Sequence, residues 1–142
     1  MHCIRGVATA LLALVTYAAQ VHADTVESFY RGRNITLVVG FNPGGSNDFV
    51  GRLLARSIGE FIPGRPAIIV QNMPGAGGLV AANHLYNVAV RDGSVIGQLD
   101  RAVPLTGLRG SANAKFDALR FTWLGSLSTY RDEAYVIWLS PK

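Results

Sequence analysis

Twice in this chain an apolar, β-branched run stops at a proline–glycine loop and reopens as a helix-like run. The first passage is Ile35-Thr36-Leu37-Val38-Val39-Gly40-Phe41, then Asn42-Pro43-Gly44-Gly45-Ser46-Asn47-Asp48, then residues from Phe49 onward. The second is Ala67-Ile68-Ile69-Val70, then Gln71-Asn72-Met73-Pro74-Gly75-Ala76-Gly77-Gly78, then Leu79 to Val88. Near-continuous apolar runs predict strands buried on both faces, as in a parallel sheet. After the first loop Val50, Leu53, Leu54, Ile58 and Phe61 recur at helical spacing, with Arg52, Arg56 and Glu60 opposite, and Pro63-Gly64 stops the helix. Small residues open the second helix and permit close packing on a sheet.

Strand, loop, helix, strand, loop, helix, strand is the grammar of a parallel sheet with right-handed crossovers. Asp92-Gly93 marks a turn before a third strand over Ser94–Leu99. Pro104 to Ala114 reads as loop and Phe116 to Arg120 as one helical turn. Phe121–Gly125 and Ala134–Leu139 read as two further strands, and Asp24 to Asn34 as a short lead-in packed on the domain edge. In a parallel sheet the loops after the first two strands leave by the same, carboxyl edge, where open α/β sheets bind ligands. Each loop feeds a helix N-terminus, whose unpaired N–H groups favour an anion. Two such sets side by side make a carboxylate site that requires no lysine or arginine. Asp48 or Asn47 is a candidate helix cap.

Composition narrows the chemistry. Arg5, the apolar stretch Val7–Ala19 and Val21-His22-Ala23 predict a secretory leader over residues 1–23, cleaved before Asp24. The sole cysteine, Cys3, and two of the three histidines fall inside it, leaving His84 in the mature stretch 24–142. Thiol chemistry, disulfides and a histidine metal cluster are therefore not expected, nor any cofactor. The +4 net charge comes mostly from dispersed arginines, which suits small anions rather than nucleic acid. His84 reads as a structural residue within the second helix. The first loop lacks the Gly-Lys-Ser/Thr ending of a P-loop. The second has Val80 where a dinucleotide fingerprint wants its third glycine. A nucleophile elbow around Ser46 fails at Asp48. A carboxylate pair of Asp48 and Asp100 stays open, as does a secreted hydrolase or isomerase using Ser46 or Asp48.

Gly40 to Asp48 followed by Arg52-Leu53-Leu54-Ala55, together with Gln71 to Gly78, resembles the two ligand loops of the Bug family, the extracytoplasmic receptors of tripartite tricarboxylate transporters. Ala89 to Gly93, Phe116-Asp117 and Phe121 to Gly125 fit the same pattern. The resemblance implies an α/β, three-layer, parallel or mixed sheet of the type II periplasmic binding class. It implies a monomeric periplasmic receptor that is not an enzyme, grips one carboxylate between its loops and hands the solute to membrane transporter subunits. Carried over residue by residue, the site is Gly44, Gly45, Ser46 and Asp48 in the first loop, and Pro74, Gly75, Ala76, Gly77 and Gly78 in the second. Asp100 and Arg101 at the end of the third strand are candidates for a second ligand carboxylate. Gly51, Gln71 and Met73 depart from the family pattern, which bears on the ligand's distal end. Family members are about twice as long, so the chain resembles their N-terminal portion, and a nonfunctional truncated product is a further alternative.

Overall fold

A computed structural model describes residues 26–126. The expected leader and the expected strand over 134–139 lie outside them. Within them, three strands form one parallel sheet: β1 (Asn34–Val39), β2 (Ala67–Asn72) and β3 (Val95–Gln98), in the order β2-β1-β3. β1 is central, pairing Val39 with Asn72 on one side and with Gln98 on the other. Ile35, Leu37, Val38 and Val39 are fully buried, each contributing roughly 1.5–3 kcal/mol of apolar transfer. β2 differs from expectation. As an edge strand it is only partly covered, and Ile69 is exposed.

Helix α1 (Ser46–Ser57) follows β1, and α2 (Leu79–Asn87) follows β2. Neighbouring residues of β3 show how the helices are layered. A Cβ on Gly51 of α1 would meet Gln98, whereas a Cβ on Gly97 would meet Leu85 of α2. Successive strand residues point to opposite faces, so α1 and α2 cover opposite sides of the sheet. Helix, sheet and helix give three layers.

The inward face of α1 is only partly the predicted one. Its buried residues are Asp48 and Gly51; of the expected stripe Val50, Leu54 and Ile58 are half-buried, while Leu53 and, beyond the helix, Phe61 are exposed. The reason is proximity. A Cβ at Gly51 would lie 2.9 Å from Val39 Cγ2 and would clash with Gln98 Oε1, so α1 approaches β1 and β3 along a face with no side chain at that point.

Two more expectations are corrected. Residues 103–108 form a short helix, α3 (Val103–Leu108), rather than loop; Pro104 sits in its first turn, where its missing N–H costs nothing. Phe121–Gly125 is not a strand. Phe121 instead packs between the rings of Tyr86, Phe116 and Trp123, and Trp123 Nε1 donates to the Ala118 carbonyl. These aromatics close the core of Leu79, Ala82, Val103, Phe116 and Ala118 behind α2. The expected helical turn before them is present as a 3-10 turn, Ala118–Arg120.

Candidate ligand site

Because all three strands are parallel, the loops 40–45, 73–78 and 99–102 leave by one edge of the sheet. They are also in contact. Gly40 N donates to the Gln98 carbonyl (3.0 Å), and Met73 N donates to the Val39 carbonyl (2.8 Å). A Cβ on Gly40 would lie 3.5 Å from Gly78 Cα, and one on Gly78 would lie 3.7 Å from Asp100 N.

Gly45 is the N-cap of α1, in extended conformation, with no side-chain cap; neither Asn47 nor Asp48 fills that role. Its carbonyl accepts from Phe49 N at 2.9 Å. Among the described residues no acceptor is recorded for the N–H groups of Gly45, Ser46 and Asn47, the donors that a helix start leaves over. Gly44, expected to donate to a ligand, donates its N–H to Asp48 Oδ2 at 2.8 Å.

Asp48 is the buried charged residue of this edge, 3 % exposed. Its Oδ2 also accepts from Arg52 Nε at 2.9 Å, and its Oδ1 accepts from Asn72 Nδ2 at 2.8 Å. The Arg52 bond, then the Gly44 N–H and the Asn72 amide, hold its carboxyl down to about 2 from 3.8. Its lone pairs are thus directed at protein donors. Asn72, the last residue of β2, also donates to the Phe41 carbonyl (3.1 Å) and accepts from Arg52 (3.1 Å). Arg52 stands four residues after Asp48, the helical pairing interval, and was legible as its partner. Asn72 reaches Asp48 across 24 residues of sequence, and only the β1–β2 register reveals it.

The second loop is shaped by backbone rather than side chains. Gly75, Ala76, Gly77 and Gly78 all have positive φ, at 132°, 47°, 62° and 88°. Ala76 is a non-glycine residue in the left-handed region, which costs on the order of 1 kcal/mol or more. Gly78 is buried, and its N–H donates to the Gly75 carbonyl at 3.0 Å. Leu79 N–H is used by Ala76. No acceptor is recorded among the described residues for the amides of Ala76 and Gly77, and a Cβ at Gly77 would meet nothing within 4 Å. Pro74 is exposed at the head of this loop.

Asp100 and Arg101 lie beside the second loop, half-buried. The Asp100 carboxylate accepts from Ala102 N at 2.7 Å, closing the turn that starts α3. His84 is half-buried within α2, and its carbonyl accepts the N–H of Val88 at the helix end. No group of three or more metal-ligating side chains occurs among the described residues. A recess of about 440 Å³ lies near Glu27, Arg31, Phe61 and Arg65, at the opposite edge of the sheet, and contains neither glycine loop.

No family model matches the chain. Curated relatives do. It is 35 % identical over 113 residues to the "UPF0065 protein in gbd 5'region" of Cupriavidus necator, covering 80 % of this chain and 32 % of that one. It is 42 % identical over 72 residues to "Protein BugT" of Bordetella pertussis, covering 51 % of this chain and 20 % of the relative. The chain belongs to the Bug family. It spans about a third or less of the length of these relatives, so the activity of the whole receptor is a matter of proposal. No helix among the described residues is long and apolar enough to cross a membrane.

Proposed function

We propose that this Bug-family chain is the ligand-holding N-terminal portion of a periplasmic solute receptor of the type II binding-protein class. In this reading residues 1–23 direct export and 24–142 hold the ligand. The receptor captures a small organic carboxylate between its two glycine loops and delivers it to a transporter of the tripartite tricarboxylate type. The observation that carries this reading is the pair of uncapped loop amides, Gly45–Asn47 and Ala76–Gly77, on one sheet edge. Left-handed Ala76 adds support, since backbone strain of this kind concentrates where a loop is held for binding. Small anions suit such amides without a basic side chain.

A receptor performs no chemistry on its ligand. The hydrolase alternative needs Asp48 or a comparable base beside Ser46, but Asp48 already accepts from Gly44, Arg52 and Asn72. The test is calorimetry of the chain with citrate, malate, glutamate and benzoate, alongside Gly45→Val. Gly45 has an ordinary negative φ and room for a Cβ, so its valine variant should fold while crowding the open amides. Saturable binding of at least one acid, lost in Gly45→Val with circular dichroism unchanged, supports the reading. Equal affinity in both proteins removes the loop mechanism, and turnover of any acid removes the receptor reading.

A further inference from the structure

We infer that Asp48, Asn72 and Arg52 form a brace that sets the spacing of the two loops, and that Asp48 positions the site rather than touching the ligand. The inference rests on the carboxylate-receptor reading and changes the role of one of its residues. Asp48 belongs to the first turn of α1 and fastens Gly44 of the first loop. Asn72 is the last residue of β2, immediately before the second loop. Its two amide hydrogens go to the Phe41 carbonyl and to Asp48, and its oxygen takes Arg52. That assignment satisfies every polar atom of the amide and fixes its orientation. One side chain at the root of the second loop thereby holds the first loop at two points.

Charge and geometry agree. A carboxylate facing an incoming anion would repel it. Here the negative group is turned inward, 3 % exposed, and neutralised by Arg52. Its lone pairs are consumed by donors from three separate segments, leaving the outer amides to the ligand. If both loops read one carboxylate group, their separation decides affinity for every acid alike. A residue that instead touched the rest of the ligand would discriminate between acids.

The test uses Asn72→Asp in the full chain, an isosteric change that turns a donor toward the Phe41 carbonyl and Asp48 into an acceptor. The readouts are affinity for malate, glutamate and benzoate, and amide exchange at Gly44 and at Gly78, the hydrogen-bonded N–H groups of the two loops. The brace predicts an affinity loss of about tenfold, the same for each acid, and exchange faster by about tenfold in both loops. Unchanged exchange at Gly44, or an affinity that falls for one acid and not the others, overturns it. Should Asn72→Asp not fold, Arg52→Lys replaces it. Lysine cannot hold Asp48 and Asn72 through a rigid fork, so a uniform loss of about threefold is expected, and no loss in either loop overturns the brace. If the unmodified chain binds none of the three acids, the receptor reading fails separately, and exchange at Gly44 alone judges the brace.

Discussion

The two glycine loops reach the same end by different means. The first is held by side chains: Asp48, Arg52 and Asn72 fasten it from behind, and of its two glycines only Gly44 takes a positive φ. Gly45 has negative φ, and Gly44, at φ 81°, faces open space. The second is held by its own backbone, through four consecutive positive φ angles and close contacts at Gly75 and Gly78. A side-chain brace is specified by residues far apart in sequence and breaks when one donor is lost. A stereochemical brace is specified locally and breaks when any glycine gains a Cβ.

The largest effect is therefore expected in the second loop. Gly75→Val places a branched side chain at φ 132°, with a Cβ 2.8 Å from Val80 Cγ2. Urea denaturation should show a loss of roughly 1–3 kcal/mol or more. A loss under about 0.5 kcal/mol would mean the second loop is not braced by its backbone.

Next comes the floor beneath the first loop. Gly51→Ala gains about 1 kcal/mol of helix propensity but drives a methyl into Val39 and Gln98. Overpacking of this sort costs about 1–3 kcal/mol, so the net change by urea denaturation should be destabilising by up to about 2 kcal/mol. Gln98 Nε2 donates to the Asn47 carbonyl at 2.9 Å, and a displaced Gln98 should shift the amide resonances of residues 46–48.

The pH dependence of the first loop follows from Asp48. Its folded pKa of about 2 lies below the ordinary 3.8, so the unfolded chain binds the proton more readily. The stabilisation is present in full above pH about 4 and disappears as pH falls through about 2. Wild type should exceed Asp48→Asn in melting temperature at pH 6, and the gap should narrow steadily between pH 4 and 2. A gap independent of pH over that interval would remove the charged brace.

The smallest change is expected for Gly44→Asn. Asparagine tolerates left-handed φ, nothing lies within 4 Å of the added Cβ, and the N–H bond to Asp48 is kept. Stability should fall by no more than about 1 kcal/mol. The contrast with Gly75→Val measures directly how differently the loops are held.

The same division explains what was legible in the sequence. β1, β2, β3 and α2 follow from local patterns, since a β-branched run and a proline–glycine stop act on adjacent residues. The parallel order, and hence the shared edge, follows from their alternation. The inward face of α1 followed only in part, because Gly51 carries no hydrophobic signal and Leu53 and Phe61 fall at core spacing yet are exposed. α3 was hidden by Pro104 and Gly107, which punctuate loops more often than they begin and end a short helix. The aromatic run at 121–123 mimicked a strand, yet Phe121 packs against the core and Trp123 against Phe121. At the site, both loops were visible, but the inward role of Asp48 was not. Asn72 looks like any polar residue before a turn until strand register sets it against α1.

The most direct measurement is an amide titration. With uniformly nitrogen-15-labelled chain and increasing malate, glutamate or benzoate, the account predicts that Gly45, Ser46, Asn47, Ala76 and Gly77 shift together along one saturable curve. Shifts confined to one loop, or appearing only around Phe61 and Arg65 at the opposite edge, would contradict it.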